Sequence, residues 1–243
     1  MQGLRAALVF LTRLPGGRLS SGDFSRAPAW FGVVGLLIGG AQALVFIAAG
    51  LLWPPIVAAL LAVVVGLLLT GGLHEDGLAD SFDGLGSGRP RERALEIMRD
   101  SRIGSHGAVA LGLALALRVT ILAALGPAAP WALIAAQALS RVAMAVALRI
   151  GPYVRATGAG TGMTGAFGPS GVGVMCVTGG VAGLALAAVS LWAIPAGLAG
   201  LAACVWLMRM WAIRRLGGVT GDILGSVQVL GDVGICLGVL ACL

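Results

Sequence analysis

Residues 70–107 read TGGLHEDGLADSFDGLGSGRPRERALEIMRDSRIGSHG, and they hold seven of the ten acidic residues of a 243-residue chain. Both histidines, His74 and His106, bracket the stretch, and five arginines (Arg89, Arg91, Arg93, Arg99 and Arg102) sit inside it. Asp76, Asp80 and Asp83 stand at i, i+4 and i+7, so on a helix their carboxylates fall within roughly 60° of one another. Like charges at that spacing repel. The stripe therefore asks for a cation, and hard oxygen ligands of this kind suit Mg²⁺, which takes one or two carboxylates plus phosphate and water. The competing reading is a solvated loop whose acids pair with the nearby arginines.

Outward from this stretch the chain is hydrocarbon. It is 58% hydrophobic and 11% charged, with mean hydropathy +1.00, against about 25% charged in an average soluble domain. Apolar runs at about 29–52, 56–73, 107–125, 130–149, 172–192 and 194–211, and a last one starting near 220, predict seven spanning helices. The fold class expected is an all-α integral membrane protein, a polytopic bundle of about seven transmembrane helices with short amphipathic surface helices. Residues 1–243 form one membrane-embedded domain, with 74–105 as its acidic catalytic loop and surface helix.

Two surface helices are expected. One covers 3–14, with Leu4, Leu8 and Leu11 on one side. The other starts after Pro90, with Ala94, Leu95, Ile97 and Met98 opposite Glu92, Arg93, Glu96, Arg99 and Asp100. Gly84, Gly86 and Gly88 are expected to break the helix before it. No cleavable signal is expected in Met1 to Pro15, which is short and carries Arg5 and Arg13 around its apolar part. The four cysteines lie in apolar runs without a CxxC pair and read as small core residues.

The net charge of +6 comes from arginine alone, since no lysine is present. In a membrane protein that excess is a topology signal, and a nucleic-acid partner is not expected. Links near 53–55, 126–130 and 192–195 are uncharged, whereas the N-terminal segment, 74–105, 149–170 and 209–218 carry nearly every arginine. The arginine-bearing side is expected to be cytoplasmic, in a bacterial inner membrane, with the acidic stripe on that side. Arg118 and Arg141 fall inside spans, where charge is costly and marks an anion-binding or bundle-facing role unless the side chain snorkels to an end. Asp232, also inside a span, is expected to pair with one of them. Residues 151–171 hold seven glycines and Arg155, a composition that lets backbone N–H groups approach a phosphate and that equally suits a linker.

HEDGLADSFDGLG (74–86) and RALEIMRDSRIGSHGAVAL (93–111) closely resemble the cobalamin synthase family, the adenosylcobinamide-GDP ribazoletransferases. Thr12–Pro15, Ser140-Arg141, Pro152-Tyr153, Gly221-Asp222 and Leu224-Gly225 extend the resemblance over the whole chain. Two positions depart from the family pattern: Ala156-Thr157 stands in place of a polar pair, and Asp232 in place of glutamate. The resemblance implies that an alcohol of α-ribazole, or of its 5′-phosphate, attacks adenosylcobinamide-GDP, releasing GMP, with Mg²⁺ as cofactor. Asp76, Asp80 and Asp83 would then be the metal ligands. His74, His106 and Asp83 are the candidate catalytic residues, and Arg99, Asp100, Arg102, Arg141, Arg155 and Asp222 the candidate substrate contacts. The lipid bilayer and a homo-oligomeric partner complete the expected company. Two other classes compete. A CDP-alcohol phosphotransferase needs an Ala-Arg pair where this chain has Ala79-Asp80, and an ion-coupled transporter would use Asp232 near the midplane.

Overall fold

A computed structural model describes residues 2–150, 152–155, 161–163 and 167–243. Eleven α-helices run through them: α1 (Gln2–Leu11), α2 (Ser21–Phe24), α3 (Phe31–Gly50), α4 (Pro55–Thr70), α5 (Leu73–Gly86), α6 (Arg91–Ile97), α7 (Ser105–Leu125), α8 (Ala129–Arg149), α9 (Pro169–Val189), α10 (Ala193–Leu216) and α11 (Gly221–Leu240). Among the described residues no strand forms beyond one isolated bridge, Tyr153 to Val219. This is an all-α polytopic membrane protein.

Five segments are long and apolar enough to cross a bilayer, and α4 with α5 makes a sixth candidate bent by 89°. One of the five, Ser105–Arg149, runs 45 residues, about 67 Å if straight and far beyond a hydrocarbon core of about 30 Å. It folds back at Gly126, whose φ is +52°. Arg118 on α7 and Gln137 on α8 consequently reach the same Asp232 carboxylate, at 2.5 and 3.0 Å. With α7 and α8 taken separately and α4 included, the helices α3, α4, α7, α8, α9, α10 and α11 correspond to the seven apolar runs of the sequence.

The bundle is built around α8 and α11. Seven of the thirteen buried residues of α8 are alanines, at 129, 132, 135, 136, 138, 145 and 147, and small side chains let neighbouring backbones approach in a setting where lipid is as apolar as leucine. Helix α11 is buried nearly all round, whereas α9 and α10 expose many apolar side chains, such as Val177, Leu184, Trp206 and Leu207, as lipid-facing helices do.

Three details differ from the expectations. Helix α1 buries Gly3, Ala6, Ala7 and Leu11 against α3 and the turn before it, with Leu4 and Leu8 only partly covered, because the small residues are the ones that permit close packing. Gly84 does not break α5. It lies inside the helix where a Cβ would run into Met98, so α6 can seat Ala94 and Met98 on it. Finally, the second span stops at Thr70: Gly71 and Gly72 are both left-handed, at φ +67° and +71°, a conformation that costs glycine nothing. They turn α5 sharply off α4. Helix α5 is held in that direction by Leu78 against Ala114 of α7 and Val229 of α11.

Candidate active site

The crossing of α5 and α11 sets the site. A Cβ on Gly77 would sit 3.0 Å from the backbone oxygen of Asp222, and one on Gly225 would sit 3.1 Å from that of His74. Ser226 Oγ fastens the crossing by donating to Gly77 O at 3.2 Å. With no side chains between them, the first turn of α11 lies directly on the acidic face of α5. Asp222 thereby joins Asp76 and Asp80, although 142 residues separate Asp80 from it in sequence.

Helix α11 starts at Thr220, whose side chain accepts from Ile223 N. Asp222 is therefore not the cap residue and keeps its carboxylate for other partners. The bridge between Tyr153 and Val219, with Val154 N donating to Val219 O at 3.0 Å, brings the segment after α8 alongside. Arg155 then pairs with Asp222, Nη2 to Oδ2 at 2.6 Å, and also donates to Met98 O at the end of α6.

Asp80 registers the crowding. Burial, followed by the charges of Asp76 and Asp222, pushes its carboxyl up to about 7 in spite of Arg155 nearby. Among the described residues no group of three or more His, Cys, Asp and Glu side chains closes into a metal cage. Carboxylates that repel one another beside a single arginine fit a hard cation that completes its shell with phosphate and water.

Two cavities meet at Asp76. The smaller, about 160 Å³, is lined by His74, Asp76, Tyr153, Arg155 and Asp222 with Met144 among its apolar walls. The larger, about 640 Å³, is open and lined by Arg13, Glu75, Asp76, Asp80, Ser101 and Ile103. His74 is buried, and its Nε2 has no hydrogen-bond partner.

The remaining residues singled out from the sequence lie elsewhere. Asp83, expected as metal ligand and catalytic group, has its oxygens engaged by Gly104 N at 2.7 Å and Gly107 N at 2.8 Å. It holds the start of α7, where unpaired N–H groups attract an acid. His106 is exposed, packs on Gly86, and borders a separate outward hollow with Phe82 and Val109. Asp100 and Arg102 pair with each other at 2.6 Å on the surface, and Arg102 holds the Asp100 carboxyl down at about 2. Arg99 is exposed. Of the glycine-rich loop, residues 156–160, Ala156-Thr157 among them, lie outside the described residues.

Arg141 belongs to a polar chain inside the bundle. Its Nη1 donates to Gln137 Oε1 at 2.5 Å, Gln137 Nε2 donates to Asp232 Oδ1, and Asp232 faces Arg118, which reaches Glu75 at 3.5 Å. Two arginines meet two carboxylates, so the buried charge balances. Glu75, Gln137, Arg13 and Tyr153 went unassigned from the sequence. A helical wheel separates Glu75 from the Asp76 stripe by about 100°, which is the one available hint that it faces the bundle.

The family model described as cobalamin-5-phosphate synthase matches residues 3–240. The chain belongs to the cobalamin-5-phosphate synthase family. An adenosylcobinamide-GDP ribazoletransferase of Bradyrhizobium diazoefficiens is 42% identical over 96% of this chain and 91% of its own length. Proteins of the same name from Azorhizobium caulinodans and Roseiflexus sp. are 42% and 40% identical, over 97% and 93% of this chain and 94% and 85% of their own lengths. No solved structure matches the chain. Membership in the cobalamin-5-phosphate synthase family makes this an enzyme of cobalamin biosynthesis, and the α5–α11 crossing is where its polar groups converge.

Proposed function

We propose that the protein joins adenosylcobinamide-GDP to α-ribazole, or to its 5′-phosphate, giving adenosylcobalamin or its 5′-phosphate and releasing GMP. The names of the relatives support this reading, and one observation carries it to these residues: Asp76 stands where the cavity holding Asp222 and Arg155 meets the cavity holding Asp80, and the charges of Asp76 and Asp222 both act on Asp80. A hydroxyl oxygen of the acceptor forms a bond to the cobinamide-side phosphorus, the bond from that phosphorus to the bridging oxygen breaks, and GMP carries the bridging oxygen away.

Asp76, Asp80 and Asp222 would hold Mg²⁺, in place of the set ending in Asp83. Bound there, it would neutralise the pyrophosphate charge. Arg155, steadied by Asp222 and Met98 O, places its guanidinium at the same cleft to balance charge on departing GMP. His74 lines the smaller cavity and its buried Nε2 has no hydrogen-bond partner among the described residues, so it would accept the proton of the attacking hydroxyl. Apolar walls on that cavity suit the aromatic base of α-ribazole, and the open cavity beyond Asp76 leaves room for the bulkier corrinoid partner. The arginine-rich end, which carries the site, faces the cytoplasm by the charge rule, in an inner membrane.

Ion-coupled transport loses its main support, since Asp232 is neutralised by Arg118. The direct test is to supply purified protein in proteoliposomes with adenosylcobinamide-GDP, α-ribazole and Mg²⁺. Stoichiometric GMP and a cobalamin mass are expected. Neither product appearing with protein that is folded and correctly inserted would refute the assignment.

A further inference from the structure

A second polar cavity lies away from the carboxylates and shares no lining residue with either cavity at Asp76. It measures about 590 Å³ and sits between the end of α8, the start of α9 and the turn before α3. Arg149, the last residue of α8, stacks its guanidinium 3.7 Å over the Phe167 ring. Its Nε and Nη1 are shielded from solvent and have no hydrogen-bond partner among the described residues. Arg26 also lines the cavity.

Counter-charge for Arg149 is missing among the described residues. No acidic residue lines the cavity, and none occurs in the sequence between Arg155 and Asp222. Asp23, whose carboxylate accepts from Ser20 N at 2.8 Å and Ser20 Oγ at 2.9 Å, offsets part of the Arg26 charge, so the unmet demand is at Arg149. Shielded guanidinium donors with nothing to donate to are costly. The start of α9 adds to the demand, because no side chain caps it and Ser170 and Gly171 of its first turn line the same cavity.

We propose that this cavity binds the phosphodiester headgroup of an anionic phospholipid. Guanidinium forks match phosphate oxygens in pairs, and the apolar stack on Phe167 holds the Arg149 fork in place. The position selects a lipid as the source of phosphate. Helices α8 and α9 both cross the membrane and both end here, at headgroup level, and Trp30, Ala29 and Val174 extend the cavity along apolar wall toward the acyl region.

The experiment uses the full chain purified in a neutral detergent and follows its thermal midpoint with added phosphatidylglycerol, phosphatidylcholine or glycerol phosphate. Phosphatidylglycerol is expected to raise the midpoint in a saturable way, with the other two inactive. Arg149→Gln should weaken the apparent affinity for phosphatidylglycerol at least about tenfold, a loss of roughly 1.4 kcal/mol. Arg26→Gln, at an exposed position, should weaken it by a smaller factor, and it serves as the deciding variant should Arg149→Gln not fold. An unchanged phosphatidylglycerol response in the folded variants overturns the proposal. So does an equal response to phosphatidylcholine, and so does glycerol phosphate reproducing the effect, which would make this a site for a soluble phosphate ester.

Discussion

Arg118 Nε lies 2.5 Å from Asp232 Oδ2, with the two side chains 4% and 1% exposed, joining α7 to α11 inside the bundle. The N–H is poorly aligned for a hydrogen bond, since neither atom has a hydrogen-bond partner, so the contact is one of charge with charge. Breaking a buried pair by removing one member strands the other at a cost of about 3–5 kcal/mol. Asp232→Asn is therefore expected to yield poorly stable protein, and the double variant Asp232→Asn with Arg118→Met to recover much of the loss. Thermal unfolding of the three proteins in detergent checks this; equal stability of the single variant and the parent would show that the pair contributes nothing.

Asp76, Asp80 and Asp83 share a stripe, yet they should separate on mutation. Asp76→Asn, Asp80→Asn and Asp222→Asn are each expected to lower turnover by roughly 10²–10³-fold while leaving a folded protein. Asp83→Asn should act on stability first, by about 1.5–3 kcal/mol for its charged contact with the start of α7. Turnover and melting temperature measured on all four distinguish these outcomes. An Asp83→Asn protein that melts normally and loses its Mg²⁺ response would return Asp83 to the metal set.

The glycine crossing gives a steric prediction. A methyl at Gly77 meets backbone of α11 at 3.0–3.1 Å, and backbone cannot swing aside as a side chain can. Gly77→Ala should push Asp222 away from Asp80, cutting turnover more than tenfold and stability by about 1–3 kcal/mol. Gly173→Ala on α9 meets nothing within 4 Å and should be silent in the same assays.

Proton binding at Asp80 predicts a pH dependence. Its carboxyl is raised from 3.8 to about 7 in the folded protein, so the folded state holds that proton more tightly than the unfolded chain does. Metal-free protein should accordingly lose stability as pH rises from about 4 through 7. Mg²⁺ would relieve the same repulsion. The rise in melting temperature on adding Mg²⁺ should be larger at pH 8 than at pH 6, and Asp80→Asn should abolish the difference.

Orientation is checked by cysteine labelling on a background lacking Cys176, Cys204, Cys236 and Cys242. Arg89→Cys should react only from the cytoplasmic side and Pro127→Cys only from the other. Reaction of both from one side contradicts the charge rule.

The apolar helices and the helical acidic stripe were legible because hydropathy and i, i+4 spacing are local properties. Glu75 was not, since its partner Arg118 lies 43 residues away on another helix. Asp83 looked like its neighbours until Gly104 and Gly107 were seen to return beside it. Asp222 was legible as a site residue, but the means that bring it to the stripe were not: its reach depends on Gly77 facing Gly225, and two unremarkable glycines far apart in sequence give no sign that they meet. The Asp232 pairing was legible in kind, because a lone carboxylate in a span requires a cation, although the sequence left Arg118 and Arg141 as alternatives.

The α5–α11 crossing also sets an order of events during synthesis. Asp222 emerges from the ribosome some 140 residues after Asp80, on the order of ten seconds or more at about 5–20 residues per second. From its own synthesis until Asp232 follows 114 residues later, Arg118 has only Glu75 to neutralise it, Gln137 has no carboxylate to bind, and the apolar side of α5 lacks the α11 surface it packs on. The half-built bundle is thus a species with unmet charge inside the bilayer, and insertion of α11 settles that charge and assembles the cleft in one step. Variants that slow the arrival of α11 would then lower the yield of protein without altering the activity of each molecule that matures.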